Sequence, residues 1–391
     1  MDRARVLEEI RIMRFEELLD RHERGALTQA EAGEMLGMSE RTFRRWRGRW
    51  REAGAAGLVD RRIGKPSPRR ADASELARAQ ALYAEMYGDF TVKHFHEKLV
   101  EGHGYRLGYT VTRLALQASG LVRKAPRRGA HRRKRPRRPM PGMLLHQDGS
   151  THAWLAGQPP LDLIVTLDDA TSEVYSAFLV AEEGTASSFR GLAETIARKG
   201  LFCSLYTDRG GHYFHTPAAG GRVSREQPTQ VGRALAELGI EHIPAYAPEA
   251  RGRSERAFRT LQDRLVNELA LAGITSLEAA NRFIAETYLP AHNRRFAVAA
   301  AEPGSAFVAC PPAACRDVLC RRETRQVGND NTVAWRGRRL QIPASPLRPH
   351  VVRATVRINE YPDNAVAIFW GPHRIAHFPP PPADEPHGLA A

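Results

Sequence analysis

Apolar positions Val6, Ile10, Met13, Leu18 and Leu19 recur at roughly helical spacing among charges through residues 4–24. A second helix follows with Ala32, Met35 and Leu36 facing inward, and Gly37 permits a tight turn. Ser39 is placed to cap a third helix whose Phe43, Trp46 and Trp50 pack inward. That leaves Glu40, Arg41, Thr42, Arg44 and Arg45 on its outer face. Helical spacing resumes from about Ser74 to Val122, with Leu76, Leu82, Met86, Phe90, Phe95 and Leu99 as core candidates. A last helix there opens at Tyr109 and stops near Gly120.

From Met143 the period shortens. Leu144–Trp154, Leu161–Asp168 and Val174–Ala181 read as three consecutive strands, followed by a helix over Ala186–Lys199. A strand at Leu201–Thr207, a helix at Val231–Leu238, a strand at Glu241–Tyr246 and a long helix from Ser254 to about Ala270 complete the segment. Three antiparallel strands, then helix, strand, helix, strand and helix, match the RNase H-like order with a mixed five-stranded sheet. Short strands with Pro and Gly turns over 325–378 predict a small β-barrel. The expected organisation is multidomain. A helix-turn-helix occupies 1–63, a second helix-turn-helix or winged-helix-like unit 64–122, and a basic linker 123–140. The α/β core covers 141–300, a further linker 301–324, the barrel 325–378, and a disordered tail 379–391.

Charge narrows the choice of partner. The 391 residues carry a net charge of +14, which points to a polyanion. Ten Lys or Arg and no acid fall in the sixteen residues from Arg123 to Arg138, with Pro126, Gly129 and Pro136 preventing a continuous helix. Such a run repels itself until it lies along phosphates, and Arg132, Arg133, Lys134 and Arg135 are its centre. No apolar run spans a bilayer and no signal-peptide core opens the chain, so the expected setting is cytoplasmic, beside the nucleoid and away from membranes. Four cysteines make no disulfide framework or zinc pattern, and His94 and His96 lack companion ligands.

Three acids stand where packing alone does not call for them. Asp148 lies late in the apolar run Leu144-Leu145-His146-Gln147-Asp148, Asp208 ends a strand before Arg209-Gly210-Gly211, and Glu255 opens the long helix. Buried carboxylates are costly without a partner, and converging hard oxygens favour magnesium or manganese. On the helix, Phe258, Leu261, Leu265 and Leu269 form the core stripe, and Glu255, three before Phe258, lies on its edge. Arg251, Arg253, Arg256 and Arg259 around it are candidates to hold a phosphate backbone. Each acid also has a bland reading: Asp148 and Asp208 as turn residues, Glu255 as an i,i+4 partner of Arg259. Asp168 and Asp169 are rival ligands, read here as turn formers before Ala170-Thr171-Ser172. The polar, Gly-rich stretch between Gly210 and Gln230 is long enough to be functional or mobile.

These motifs carry a family resemblance over nearly the whole chain. His146-Gln147-Asp148-Gly149-Ser150, Tyr206-Thr207-Asp208-Arg209-Gly210, Pro248 to Arg256 and Asn293-Arg294-Arg295-Phe296 resemble insertion-sequence transposases of the DDE type, whose core is shared with retroviral integrases. The likeness is greatest to the ISNCY group. It implies Asp148, Asp208 and Glu255 as a catalytic triad holding two Mg2+ or Mn2+ ions, with hydrolysis at a transposon end followed by joining of the 3′ hydroxyl to target DNA. It further implies double-stranded DNA as partner, both terminal repeats and target, and a homo-oligomer on DNA. Thr110, Thr112 and Arg113 would then be contacts of the second DNA-binding unit, beside Arg41, Thr42, Arg44 and Arg45 of the first. Arg209 stands where relatives often have asparagine, and the insertion widens the spacing before Glu255. Two other readings stay open: a DNA-binding regulator that no longer cuts, and a nuclease of the same core that cleaves without joining.

Overall fold

The structure, a computed structural model, describes residues 3–60, 70–124, 126, 135–218, 221–224, 226–246, 252–311, 315–344, 346 and 348–380. It falls into two compact units, residues 1–82 with 105–119 and residues 83–104 with 120–391. Parts of both expected linkers and the tail from 381 onward lie outside the described residues.

In the first unit, α1 (Arg3–Glu23), α2 (Gln29–Met35) and α3 (Glu40–Ala53) close around Phe15, Leu19, Ala32, Phe43 and Leu58. The Phe15 ring lies 5.4 Å from both Phe43 and Trp46. Thr28 and Glu31 form a capping box that starts α2, and the Ser39 hydroxyl accepts from the Thr42 amide at 3.3 Å to start α3. Ile10, Met13 and Met35, expected in the core, are exposed. Leu18 and Leu19 are buried as expected, and Phe15 joins them on the inward side of α1. From α4 (Ala73–Met86), the Gln80 amide reaches the Ala115 carbonyl of α6 (Tyr109–Ala118) at 3.2 Å.

The second unit is built on one mixed sheet. Strands β1 (Leu145–His152), β2 (Leu161–Asp168), β3 (Val174–Val180), β4 (Ser204–Thr207) and β5 (Glu241–Pro244) lie in the order β3-β2-β1-β4-β5. The first three pair antiparallel; β1–β4 and β4–β5 are parallel. One face is covered by α7 (Thr185–Lys199) and α8 (Gln230–Glu237) over Leu145, Leu205, Phe189, Leu192 and Val231. The other is covered by α9 (Gly252–Leu271), α10 (Leu277–Phe283) and α11 (Leu289–Phe296), with Phe258, Leu261 and Leu265 against Leu163, Val165 and Leu167. A π turn at Ile284–Tyr288 joins α10 to α11. Strand β4 begins at Ser204 rather than Leu201 because Leu201 pairs instead with Val308, their amides and carbonyls exchanging bonds of 2.7 and 2.9 Å. Gly200, at φ +106°, makes that turn, and a Cβ there would strike the Val308 carbonyl.

Helix α5 (Val92–Gly102) belongs to this second unit. His94 and Lys98 each meet Glu268 at 2.7 Å, Glu97 meets Arg264 at 2.6 Å, and Arg295 pairs with both Glu97 and Glu101.

The C-terminal part does not close into a barrel. Strands β6 (Arg321–Gln326), β9 (Thr355–Glu360), β10 (Val366–Trp370) and β11 (His373–Phe378) form an open antiparallel sheet in the order β11-β10-β9-β6. β7 (Thr332–Trp335) and β8 (Arg338–Gln341) form a separate hairpin that shares the core of Val333, Leu340, Val356, Ile358 and Ile368. Its two-residue turn has positive φ at both Arg336 and Gly337, the twist that flanking strands require. Among the described residues, no helix is long and apolar enough to cross a membrane.

Candidate active site

Strand register decides which side chains meet. Leu145 and His146 pair with Leu205 and Tyr206; carried two positions on, that register brings Asp148, in the middle of β1, level with Asp208, just past the end of β4. Such strands lie about 4.8 Å apart. Asp148 pairs across β2 with Val165, a residue of the core beneath α9, so His146, Asp148 and Ser150 share the face that α9 covers. Asp148 is only 6% exposed, and one of its oxygens accepts from the Gly149 amide at 3.1 Å. An Asp208 oxygen accepts from the Gly210 amide at 2.9 Å.

Glu255 sits two turns before Gln262, whose amide donates to the Ser150 hydroxyl at 3.0 Å. It therefore lies on the stripe of α9 that looks toward the Asp148 side of β1. Its side chain is exposed at the rim rather than drawn in beside the two aspartates. The paired carboxylates are the right kind of donor for a hard divalent cation. Among the described residues, however, no three His, Cys, Asp or Glu side chains converge closely enough to hold one.

Sequence reasoning missed two residues beside this pair. Glu183, between β3 and α7, places its carboxylate so close to Gly149 that a Cβ there would overlap it. His212 lies 3.5 Å from the same carboxylate. The available signal was the acid pair Glu182-Glu183 directly after a strand and before Gly184. Next to them Tyr213 is buried, with its hydroxyl donating to Gln147 Oε1 at 3.1 Å. Burial, and then the charges of Glu183, Asp148 and Asp208, push its phenol well above the usual range. Gln147 in turn donates to Thr166 Oγ1 at 3.0 Å and the Ser188 carbonyl at 3.3 Å. The stretch after Gly210 is thus pinned under the site at its start, and Thr229 closes it by donating to the Tyr213 carbonyl at 2.9 Å. Tyr213→Phe is expected to lower stability by about 1–3 kcal/mol, because Gln147 Oε1 loses its donor in a dry setting. Urea unfolding measures this; a change under about 0.5 kcal/mol, the scale of a surface substitution, would refute it.

Two buried imidazoles make the second unit acid-sensitive. Burial, with the charge of His212, pushes His242 from 6.5 down to about 4, and burial with Arg264 does the same to His292. Both are neutral when folded and take up protons on unfolding, so their contribution is complete above pH 6.5 and is lost as pH falls toward 4. By pH 5 the loss is about 2 kcal/mol for each histidine. Denaturation midpoints should drop between pH 7 and pH 5, and His242→Gln and His292→Gln should each flatten that slope. An unchanged slope in both variants would count against the assignment.

Asp168 and Asp169 are drawn into the scaffold rather than the site. Asp168 accepts from the amides of Thr171 at 2.8 Å and Gly142 at 2.9 Å, forming the turn. Asp169 does more than turn the chain: fully buried, it meets His146 Nε2 at 2.8 Å, Arg253 Nε at 2.7 Å and Arg135.

A helix-turn-helix family model matches residues 16–67. Over 356 residues the chain is 32% identical to y4bF of Sinorhizobium fredii (strain NBRC 101917 / NGR234), a protein assigned as a transposase, covering 90% of this chain and 77% of that one. The chain belongs to the transposases. It is also 32% identical over 162 residues to the transposase for insertion sequence IS1202 of Streptococcus pneumoniae, covering 41% of this chain and 34% of that protein. Solved structures match loosely. The simian T-cell lymphotropic virus intasome is 18% identical over 54% of this chain and 69% of that one, with a TM-score of 0.31. The HTLV-2 integrase catalytic core domain in complex with magnesium is 17% identical over 37% of this chain and 82% of that one, with a TM-score of 0.28. Superpositions this loose place no individual residue.

The transposase presents part of the expected DNA-contacting set to solvent. Arg41, Arg44 and Arg45 are exposed on α3, with Arg44 resting on Glu40 at 3.1 Å, while Thr42 is half-buried against Ser39. Thr110 is exposed on α6, and Arg113 is half-buried. Thr112 must be withdrawn as a contact: it is 1% exposed, its hydroxyl 3.0 Å from that of Tyr105 and 3.2 Å from the Gly108 carbonyl. Arg256 and Arg259 are exposed on α9. Arg253 is withdrawn too, since besides Asp169 it donates to the carbonyls of Arg135 at 3.0 Å and Pro136 at 2.9 Å. Arg135 is likewise held by Asp169. Arg132, Arg133, Lys134 and Arg251 lie outside the described residues.

Proposed function

We propose that this transposase binds the terminal DNA of its element, cleaves the phosphodiester at the element's end, and joins the freed 3′ hydroxyl to target DNA. The observation that supports this reading is the parallel β1–β4 pairing at Leu145–Leu205 and His146–Tyr206, a register that, carried on, brings Asp148 level with Asp208. Asp148, Asp208 and Glu255 would hold the divalent ions, Mg2+ or Mn2+. Bound there, the ions supply Lewis-acid activation of the attacking oxygen and charge stabilisation at the leaving 3′ oxygen. The chain's own part is positional. Burial of Asp148 at the sheet keeps competing water from it, and Arg256 and Arg259 on the exposed side of α9 align the backbone phosphates. Arg41, Arg44 and Arg45, with Thr42, would contact the end DNA from α3, aided by Thr110 and Arg113; the basic stretch of Arg132, Arg133 and Lys134, with Arg251, would track phosphates. Because two ends must be joined, the working form is a homo-oligomer on double-stranded DNA.

The test is a strand-transfer assay on the element's own terminal DNA with Mg2+ or Mn2+, comparing the wild type with Asp148→Asn, Asp208→Asn and Glu255→Gln. Joined products lost in each variant while DNA binding persists support the reading. Cleavage without joining makes the protein a nuclease, and binding without either reaction makes it a regulator.

A further inference from the structure

We infer that Asp169 is a positioning residue for the reaction: it ties the end of the basic linker to the first turn of α9 and so fixes where Glu255 stands. This rests on the reading of Asp148, Asp208 and Glu255 as the site.

Burying a carboxylate as fully as Asp169 is costly. Burial alone would raise the carboxyl of Asp169; hydrogen bonds from His146 and the Arg138 amide, with the charge of Arg253, outweigh it and hold the group below the usual carboxylate range. Asp169 is thus an anion with no exposed surface, kept there only by partners from three separate parts of the chain. From the linker come Arg135 and the Arg138 amide at 2.8 Å, while Arg137 reaches the Asp169 carbonyl at 3.0 Å. From β1 comes His146, two residues before Asp148. From α9 comes Arg253, two residues before Glu255. Its Nε lies 2.7 Å from the carboxylate without pointing at it, and its terminal nitrogen instead binds the carbonyls of Arg135 and Pro136.

β1 and α9 are therefore fastened together at two places. One is His146–Asp169–Arg253; the other is Ser150–Gln262. Asp148 lies midway between the strand anchors, and Glu255 lies between the helix anchors. The second fastening holds the helix deep in the core, where Leu261 and Leu265 are already packed. The first holds the opening turn of α9, which carries Glu255 exposed at the rim and would have to bring it inward to join the two aspartates. Whatever pulls on the linker at Arg135 acts on that turn at Arg253, both through the Asp169 carboxylate and through the Arg135 and Pro136 carbonyls that Arg253 binds directly.

Kinetics on terminal DNA decide the matter, with Asp169→Asn, Arg253→Gln and Arg253→Lys measured beside the wild type. Asp169→Asn and Arg253→Gln should each lower kcat about 100-fold, the effect of a misplacement near 1 Å, with KM for DNA unchanged. Arg253→Lys should recover part of the loss. The double variant should lose no more than either single one, because both break the same tie. Hydrogen exchange in the first turn of α9 should quicken without added metal or DNA. If Asp169→Asn does not fold, the two Arg253 variants, which leave the buried carboxylate its other partners, carry the test. Wild-type kcat in Arg253→Gln, or a rise in KM with kcat intact, would overturn the proposal; the latter would make Arg253 a phosphate contact. Should Asp148→Asn, Asp208→Asn and Glu255→Gln all retain joining, the site reading itself fails, a result independent of how Asp169 behaves.

Discussion

Asp148→Asn is expected to abolish cleavage and joining while leaving affinity for the terminal DNA unchanged. The substitution keeps volume and the hydrogen bond from the Gly149 amide but removes the charge opposite Asp208. Residues that merely orient ligands typically cost 10–100-fold when changed, about one to two decades. A group placed to hold the ions themselves should cost more than that. The fold should survive, and could even stiffen, since the amide ends the repulsion between two carboxylates on neighbouring strands. A thermal melt at or above the wild type, with joining below detection, is the expected pair of results. Residual joining at a tenth of the wild-type rate would show that another acid serves in its place, and Glu183 is the first to examine because it sits against Gly149.

The second large effect is expected in the N-terminal unit. Phe43→Ala removes a ring with no exposed surface from a cluster of five buried residues. Phenylalanine truncations in cores cost about 3–5 kcal/mol. A folded domain holds roughly 5–15 kcal/mol in all, so at the low end expected of a small unit most of the margin goes. Since α3 carries Arg41, Arg44 and Arg45, end-specific binding should fall with the fold of the helix. Hydrogen exchange should show protection lost across residues 15–58 and kept in β1 and β2. Unaltered protection across 15–58 would mean that the cluster is not what holds α3.

Much of this arrangement was legible in the chain because its signals are local and periodic. β2 and β3 are mainly apolar runs, α7, α8 and α9 carry apolar positions at helical spacing, and α2 and α3 carry caps as well. What escaped lacks such a pattern. Strand β6 reads Arg321-Arg322-Glu323-Thr324-Arg325-Gln326, held by backbone pairing to β9 with no apolar residue to announce it. The run from α10 through the π turn into α11 is helical across Pro290, which the π turn accommodates by releasing the hydrogen bond proline cannot make. At the site, Asp148 was readable as an acid late in an apolar run and Asp208 as one ending a strand. Glu183 and His212 were not, because their meeting depends on how two loops return to one place. Arg253 and Arg256 look alike in sequence; only the structure separates the one folded back onto Asp169 from the one left facing solvent.

Two asparagines have a consequence for how copies of this protein can associate. β3 is an outer strand of the core sheet, with a row of amides and carbonyls that a foreign strand could extend. Asn281 and Asn293 each present a side-chain amide to it, donating to and accepting from Leu179 at 2.9 and 2.6 Å and Val174 at 2.8 and 2.9 Å. Each acts as a single peptide unit of a strand that is not there. The border is thereby capped at both ends of β3, so a strand from another molecule could add along it only by displacing both side-chain amides.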